Sequence, residues 1–168
     1  MRLSLALLLV ALFAVTGCGY KLGEIRPTPM RAVRTLAVPT FKNDTYEPRI
    51  EVLFADTLVK RLQRDGTYQI VNTGQADAIL YCTITRIDRN ALRSVQNNVL
   101  ATSEFGLTVR VRFEVVDQTT GARLMTGERV GRASFFSGND LQTVQRQAMS
   151  TAASDIADSL ASQISEGW

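Results

Sequence analysis

The sequence predicts an α+β domain, a two-layer sandwich in which a mixed sheet of about four to five strands carries two helices on one face. Two stretches place apolar residues at spacings of three and four, which is typical of amphipathic helices. A third stretch, residues 105–115, alternates apolar and polar side chains as a half-buried strand does. With the shorter apolar runs between them, the predicted order is β-α-β-β-β-β-α.

The first helix is predicted over residues 47–64. Pro48 stands early, where its missing N–H has no cost, and Gly66 is a suitable stop. One stripe of apolar residues faces the predicted core: Ile50, Leu53, Phe54, Leu58 and Leu62. The last helix is predicted to start after a cap at Ser137–Asp140 and to end near residue 165. Its predicted buried stripe is Leu141, Val144, Ala148, Ala152, Ile156, Leu160 and Ile164.

Strands are predicted in five segments: 35–39, 67–72, 78–88, 105–115 and 123–134. In the third, Cys82 alternates with polar neighbours, so we expect a small core residue and not a nucleophile. Because both helices cover one face of the sheet, its other face should stay uncovered. That face is predicted to carry Tyr81, Thr83, Arg110 and Arg112.

The first 17 residues have the order of a secretory signal peptide, with Arg2 followed by an apolar run from Leu3 to Val15. Val15-Thr16-Gly17-Cys18 resembles the lipobox of bacterial lipoproteins, which implies cleavage between Gly17 and Cys18 and acylation of Cys18. A membrane anchor that stays attached is the alternative, although the run is short for a spanning helix. We therefore expect a signal at 1–17, a tether at 18–33 and one domain at 34–168. In many bacteria an Asp directly after the acylated cysteine keeps a lipoprotein in the inner membrane. Gly19 stands at this position, so the outer membrane is the expected location.

Composition argues against an enzyme. The chain has no histidine, and with Cys18 acylated only Cys82 remains as a thiol, so no metal site or cofactor is expected. The carboxylates are scattered along helix faces, where no partner would shift their pKa values. Removal of Arg2 leaves 18 basic against 16 acidic residues. That small excess, without a basic block, predicts no nucleic-acid partner.

The segment from Arg86 to Val99, between the third and fourth predicted strands, is basic. Arg86, Arg89 and Arg93 stand there beside one acid, Asp88. Guanidinium groups bind phosphate oxygens in a bidentate way, so the segment is a candidate contact for an anionic ligand. The alternative is a solvated hairpin tip.

The order of several motifs resembles the lipopolysaccharide-assembly lipoproteins, the LptE family. The resemblance rests on Cys18–Leu22, Ala37–Thr45, Ala76–Leu80, Thr102–Phe105 and Ser134–Phe136. It implies an outer-membrane lipoprotein that plugs the β-barrel LptD, assists its folding and contacts lipopolysaccharide, with its domain facing the periplasm or inside the barrel lumen. Arg86, Arg89, Arg93, Arg110 and Arg112 are then the expected contacts with lipopolysaccharide or the partner.

A second group of outer-membrane lipoproteins resembles the opening of the chain. Its members activate peptidoglycan synthases or assemble secretion pores, and they share the strand that ends in Val38-Pro39-Thr40-Phe41 and the helix after it. The tether of 19–33 spans at most ~50 Å, which is short for reaching cell-wall enzymes. The barrel-plug interpretation is therefore favoured and the second is kept as the alternative.

Overall fold

The computed structural model describes residues 26–95, 98–136 and 140–167, with the side chains of 94, 95 and 98–103 excepted. The predicted signal peptide, Gly17, Cys18 and the first part of the tether lie outside these residues, as do positions 137–139 of the predicted cap.

The described residues form six strands and two helices. In chain order they are β1 (Thr35–Ala37), β2 (Lys42–Asn43), α1 (Ile50–Asp65), β3 (Gln69–Ile70), β4 (Ala78–Val95), β5 (Asn98–Asp117), β6 (Arg123–Phe136) and α2 (Leu141–Glu166). The strands make one mixed sheet in the order β3-β1-β4-β5-β6, and β2 pairs with β4 beside β1. Strands β1, β2 and β3 run parallel to their neighbours, whereas β4, β5 and β6 are antiparallel.

Both helices pack on the same face of this sheet, and the predicted fold class is confirmed. One hydrophobic cluster joins the alternate residues of β4 and β5 to the apolar stripes of α1 and α2. Its most deeply buried large side chains are Phe54, Phe113, Met30, Leu36, Leu58, Leu62, Leu80, Ile84, Leu107, Ile156, Leu160 and Ile164. We call the face that meets the helices the inner face and the other the outer face.

The first helix begins three residues later than predicted. Arg49 precedes it in the left-handed region, at φ 63°, which a non-glycine residue adopts at some cost in energy. Pro48 therefore lies before the helix and not within its first turn. Gly66 ends α1 at φ 75°, as predicted, and its N–H donates to the carbonyl of Leu62.

The hairpin of β4 and β5 is much longer than predicted. The segment Arg86–Val99, read from the sequence as a loop between strands, belongs almost wholly to these strands. With 20 residues, β5 extends over about 66 Å. On the N-terminal side of Leu107, toward the hairpin tip, the apolar alternation of β5 fades because neither described helix covers the strands there. The antiparallel ladder still pairs the backbone groups. Strand β2 lies outside the five predicted segments and is only two residues long.

The domain begins before residue 34. Met30 and Val33, which the sequence analysis placed in the tether, are core residues with 0% and 3% exposure. A 3-10 turn over Thr28–Met30 places Met30 in the core, and the N–H of Val33 donates to the carbonyl of Met30 at 3.1 Å. In α2 the stripe from Ala148 to Ile164 is buried as predicted, but Leu141 is 46% exposed because the first turn lies past the core. Asp140 caps this helix by accepting the N–H of Thr143 at 3.0 Å.

Asp77 joins the start of β4 to β1. Its Oδ2 accepts the N–H groups of Arg34 and Thr35 at 2.9 and 2.8 Å, and its own N–H donates to Oγ1 of Thr35 at 2.8 Å. The backbone hydrogen bonds from Thr35 and Arg34 hold the pKa of Asp77 below its usual value.

We expect Asp77→Ala to lower the free energy of unfolding by about 1 kcal/mol at neutral pH, because two N–H groups lose their acceptor. A depressed pKa adds stability above the unfolded value of about 3.9, and this contribution disappears as the pH falls through the lower folded value. Urea unfolding at several pH values measures this, with Asp56→Ala, an exposed change on α1, as control. An equal deficit at every pH would contradict it.

Candidate interaction surface

The outer face of the sheet, which the two described helices leave uncovered, holds four of the five predicted arginines. From Tyr81 onward, β4 contributes alternate residues to it, and β5 and β6 lie beside β4 in antiparallel register. The register places Arg112 next to Thr83 and Glu128, and Arg110 next to Arg86 and Val130. Nearer to β1 the outer face is closed, since Ile79 packs with Ala37 and Ala76.

The structure separates the five predicted arginines. A register shift between Ile84 and Arg86 adds one residue to β4 and reverses the alternation of every later side chain. Arg86 consequently pairs with Arg110 on the outer face, but Arg89 pairs with Leu107 on the inner face. A second shift past Ala91 returns Arg93 to the outer face, opposite Glu104. Arg89 is therefore not part of the surface that holds Arg86, Arg93, Arg110 and Arg112.

Arg89 instead links the hairpin to the loop before α1 and to α2. Its Nη2 lies 2.5 Å from Oε2 of Glu47. With the amide oxygen of Gln145 turned toward the guanidinium, that oxygen accepts from Nε at 3.2 Å and from Nη2 at 2.7 Å. The sequence carried no signal for this link, because it depends on the register shift. Arg89 is a positioning residue that holds the hairpin against the helical layer.

Arg89→Ala should lower the free energy of unfolding by about 1 kcal/mol, since a half-exposed ion pair and an amide hydrogen bond are lost. The matched control is Arg86→Ala. Among the described residues Arg86 pairs with Asp88 of its own strand, at 2.7 Å and well exposed, so a change within about 0.5 kcal/mol is expected there. Urea denaturation compares the two variants. If both are equally stable, the link does not contribute as described.

Ion pairs cross much of the outer face. Arg110 lies 3.5 Å from Glu128 across the β5–β6 pair. Arg123 and Glu114 are 2.6 Å apart on the same two strands. At its margins Lys42 pairs with Asp44 at 3.0 Å and Arg93 approaches Glu104 at 3.9 Å. All these groups are at least partly exposed, so each pair contributes little to stability, and together they make a strongly hydrated polar surface.

Two arginines of the outer face do not take part in these ion pairs. Arg112 and Arg132 are exposed and form no ion pair within the part of the chain that the structure describes. Three large side chains are also exposed on this face: Tyr81 at 47%, Leu92 at 58% and Phe136 at 62%. Leu92 lies directly over Gly106, where an added Cβ would be 3.2 Å from its side chain. Arg132 and Phe136 were not predicted for this surface, since their face follows only from the register. A surface of paired charges, surplus arginines and isolated apolar groups suits a polar partner.

The cysteine prediction is confirmed: Cys82 is 4% exposed in the core, and burial raises the pKa of its thiol.

Among residues 26–95, 98–136 and 140–167, no group of three or more acidic or cysteine side chains is arranged to hold a metal ion. Within the same ranges no helix has both the length and the apolar content needed to cross a membrane.

The described chain starts at the end of the domain that is opposite to the hairpin tip. The Arg26 guanidinium lies over the Tyr68 ring, 5.3 Å from its centroid, and Pro27 approaches Gly167. The hydroxyl of Tyr68 donates to the carbonyl of Ile164 at 2.8 Å, near the end of α2. Any anchor upstream therefore joins the domain there, about 39 Å along α2 from its first residue.

Solved structures show the same fold at low sequence identity. A protein from Caulobacter crescentus that is proposed to be a lipoprotein has 17% identity and a TM-score of 0.51, covering 75% of this chain and 88% of its own. A dodecameric PelC variant from Paraburkholderia phytofirmans has 15% identity and a TM-score of 0.51 over 79% of this chain and 88% of its own. A hypothetical protein from Chlamydia trachomatis has 12% identity and a TM-score of 0.53 over 79% and 94%.

A search of curated protein sequences gives no significant match. One family profile, described as LptE, lipopolysaccharide-assembly, matches residues 33–164. That range contains both helices and nearly all of the sheet. The chain therefore belongs to the LptE family of non-enzymatic, accessory lipopolysaccharide-assembly lipoproteins.

Proposed function

We propose that this protein is an outer-membrane lipoprotein, anchored through Cys18, that plugs the LptD β-barrel, assists its assembly and takes part in lipopolysaccharide transport to the cell surface. The observation that carries the proposal is the uncovered outer face. Its charges are paired across strands, and Arg112 and Arg132 are left over. The lumen of a large outer-membrane barrel is polar, and a hydrated surface whose charges are mostly paired can lie against it with few unpaired charges to bury.

The short connection between the domain and the proposed anchor at Cys18 also supports a position inside an outer-membrane barrel. Because the fold already includes Pro27, Met30 and Val33, only the residues between Cys18 and Arg26 remain as tether. The eight Cα-to-Cα steps from Cys18 to Arg26 span about 28 Å at most. The end of the domain near Gly167 then stays close to the membrane that holds the lipid, and the hairpin points away from that anchor.

The alternative is a lipoprotein that activates a peptidoglycan synthase or assembles a secretion pore. The shared fold with dodecameric PelC keeps ring assembly as a specific form of it. The shortened tether counts against long reach into the periplasm. A homo-oligomeric ring or a cell-wall synthase that co-purifies with the chain would favour this alternative.

Contact with lipopolysaccharide is proposed for the arginines that share the outer face: Arg86, Arg93, Arg110 and Arg112. Guanidinium groups bind phosphates in a bidentate way, and Leu92 and Phe136 offer apolar surface at the same end of the sheet. Arg89 contributes indirectly, by holding the base of the hairpin.

We expect the double variant Arg110→Glu and Arg112→Glu to reduce co-purification of the barrel at least about tenfold, because reversed charges meet a surface that is complementary to arginine. The matched control is Arg31→Glu with Arg64→Glu. These two exposed arginines lie outside the outer face, and the change in net charge is the same. Quantitative mass spectrometry of tagged, lipidated protein from solubilised membranes gives the ratio. Equal recovery by the double variant and its control would argue against the outer face as the barrel contact.

A further inference from the structure

A groove on the helix side of the molecule is not used by the proposed barrel contact. It lies between the start of α1 and the first half of α2 and has a volume of about 730 Å³, within the usual range for organic ligands. Its apolar lining comes from Ile50, Leu53 and Met149. Two of these, Ile50 and Met149, belong to the hydrophobic core, so the lining is held in place by the packing of both helices.

The mouth of the groove is basic. Arg49 and Arg146 line it, and neither forms an ion pair with a carboxylate of the described residues. Glu47 also lines it, but its carboxylate is bound to Arg89. Glu51, in the first turn of α1, accepts from the amide of Asn43. Both acids are therefore engaged. Arg146 donates long hydrogen bonds within its own helix, to the carbonyl of Gln142 at 3.4 Å and to Oγ1 of Thr143 at 3.5 Å, and keeps its other N–H groups for a ligand.

The conformation of Arg49 places it at this rim. Its φ of 63° is costly for a residue with a Cβ, and α1 begins there without a side-chain cap. The exposed N–H groups of that first turn add positive potential beside the guanidinium. An ordinary helix start over 47–64, as the sequence predicts, would place residue 49 within the first turn and not before it.

We propose that this groove binds a phosphate-bearing acyl lipid. Its phosphate would lie between Arg49 and Arg146, and an acyl chain would lie along Ile50, Leu53 and Met149. Two guanidinium groups without a carboxylate partner among the described residues, beside an apolar lining, match both parts of such a molecule. The site is on the opposite side of the sheet from the outer face, so it does not depend on the barrel partnership. The occupant proposed is a glycerophospholipid, and lipid A, whose contact is already proposed for the outer face, is an outcome of the test.

Photocrosslinking in cells tests this with the full chain. A benzophenone amino acid is introduced at Gln142 or Ser150, which line the groove, and at Gln147, which is exposed on α2 but does not line it. Cells are grown with radioactive phosphate and irradiated, and the label on the purified lipoprotein is measured. Mass spectrometry of the crosslinked peptide distinguishes glycerophospholipid from lipid A. Recovery of the barrel is followed in the same cells as an independent readout.

Label at Gln142 and Ser150 but not at Gln147 is expected. It should fall about tenfold in Arg49→Ser with Arg146→Ser, and stay in the control Arg31→Ser with Arg64→Ser. Any of four results would overturn the proposal: no phosphate label at either groove position, crosslinks to protein alone, lipid A as the crosslinked lipid, or equal label in both double variants. The phosphate label and the recovery of the barrel are measured independently. Loss of barrel recovery therefore counts against the proposed function alone, and loss of the label counts against the lipid site alone.

Discussion

Gly131→Ala should lower the free energy of unfolding by about 3 kcal/mol, the largest loss expected from adding a single methyl group to this chain. Helix α2 crosses β6 at this glycine. A Cβ there would be 2.3 Å from the carbonyl oxygen of Ala152 and 2.7 Å from Cγ1 of Ile156. The oxygen belongs to the helix backbone, so no change of side-chain rotamer relieves the contact, and α2 has to move away from the sheet.

The matched control for this variant is Gly74→Ala. Gly74 is exposed, has no heavy atom within 4 Å of an added Cβ, and should tolerate the methyl group with little change. Ile156→Val in the Gly131→Ala background should restore little, because the closer contact is with the backbone. Urea denaturation of the four proteins gives the comparison. Similar stabilities for Gly131→Ala and Gly74→Ala would show that the helix does not approach the strand this closely.

Cys18→Ala should release the protein from the membrane fraction almost completely in cells that lack its barrel. Each buried methylene group of an acyl chain contributes about 0.8 kcal/mol to membrane binding, so several chains anchor firmly, and the variant has none. Neither helix of the described residues can replace the anchor by crossing a membrane. Cell fractionation followed by immunoblotting measures the effect.

The control for this prediction is Cys82→Ala. Cys82 is buried in the sheet and its thiol is inaccessible, so this variant should stay in the membrane fraction as the wild type does. Retention of Cys18→Ala in membranes without the barrel would argue against a lipid anchor at this position. Release of both variants would point to a folding defect in place of a lost anchor.

The parts of the fold that were predictable are those where burial imposes a period on the sequence. The stripe from Ile50 to Leu62 and the alternation from Leu107 to Val115 gave α1 and the centre of β5, because each faces the core on one side. On the N-terminal side of this region, toward the hairpin tip, neither described helix covers β5. Its backbone still pairs with β4, but nothing forces apolar residues to alternate, so the length of the hairpin was not readable.

The candidate surface was predictable in part for a similar reason. Arg110 and Arg112 follow the alternation of β5 directly, and both were placed on the uncovered face. Arg89 lies beyond the register shift near Arg86, and one inserted residue moved it to the inner face. Its partners Glu47 and Gln145 are far away in sequence. No local pattern could have joined them.

The most direct test of the central claim is the amount of lipopolysaccharide at the cell surface after depletion of this protein from its native bacterium. Surface labelling and fractionation of the two membranes measure it, with wild-type protein restored as control. We predict that surface lipopolysaccharide falls, that it accumulates in the inner membrane, and that wild-type protein reverses both changes. Surface lipopolysaccharide that stays at the normal level after full depletion would contradict a role in its assembly.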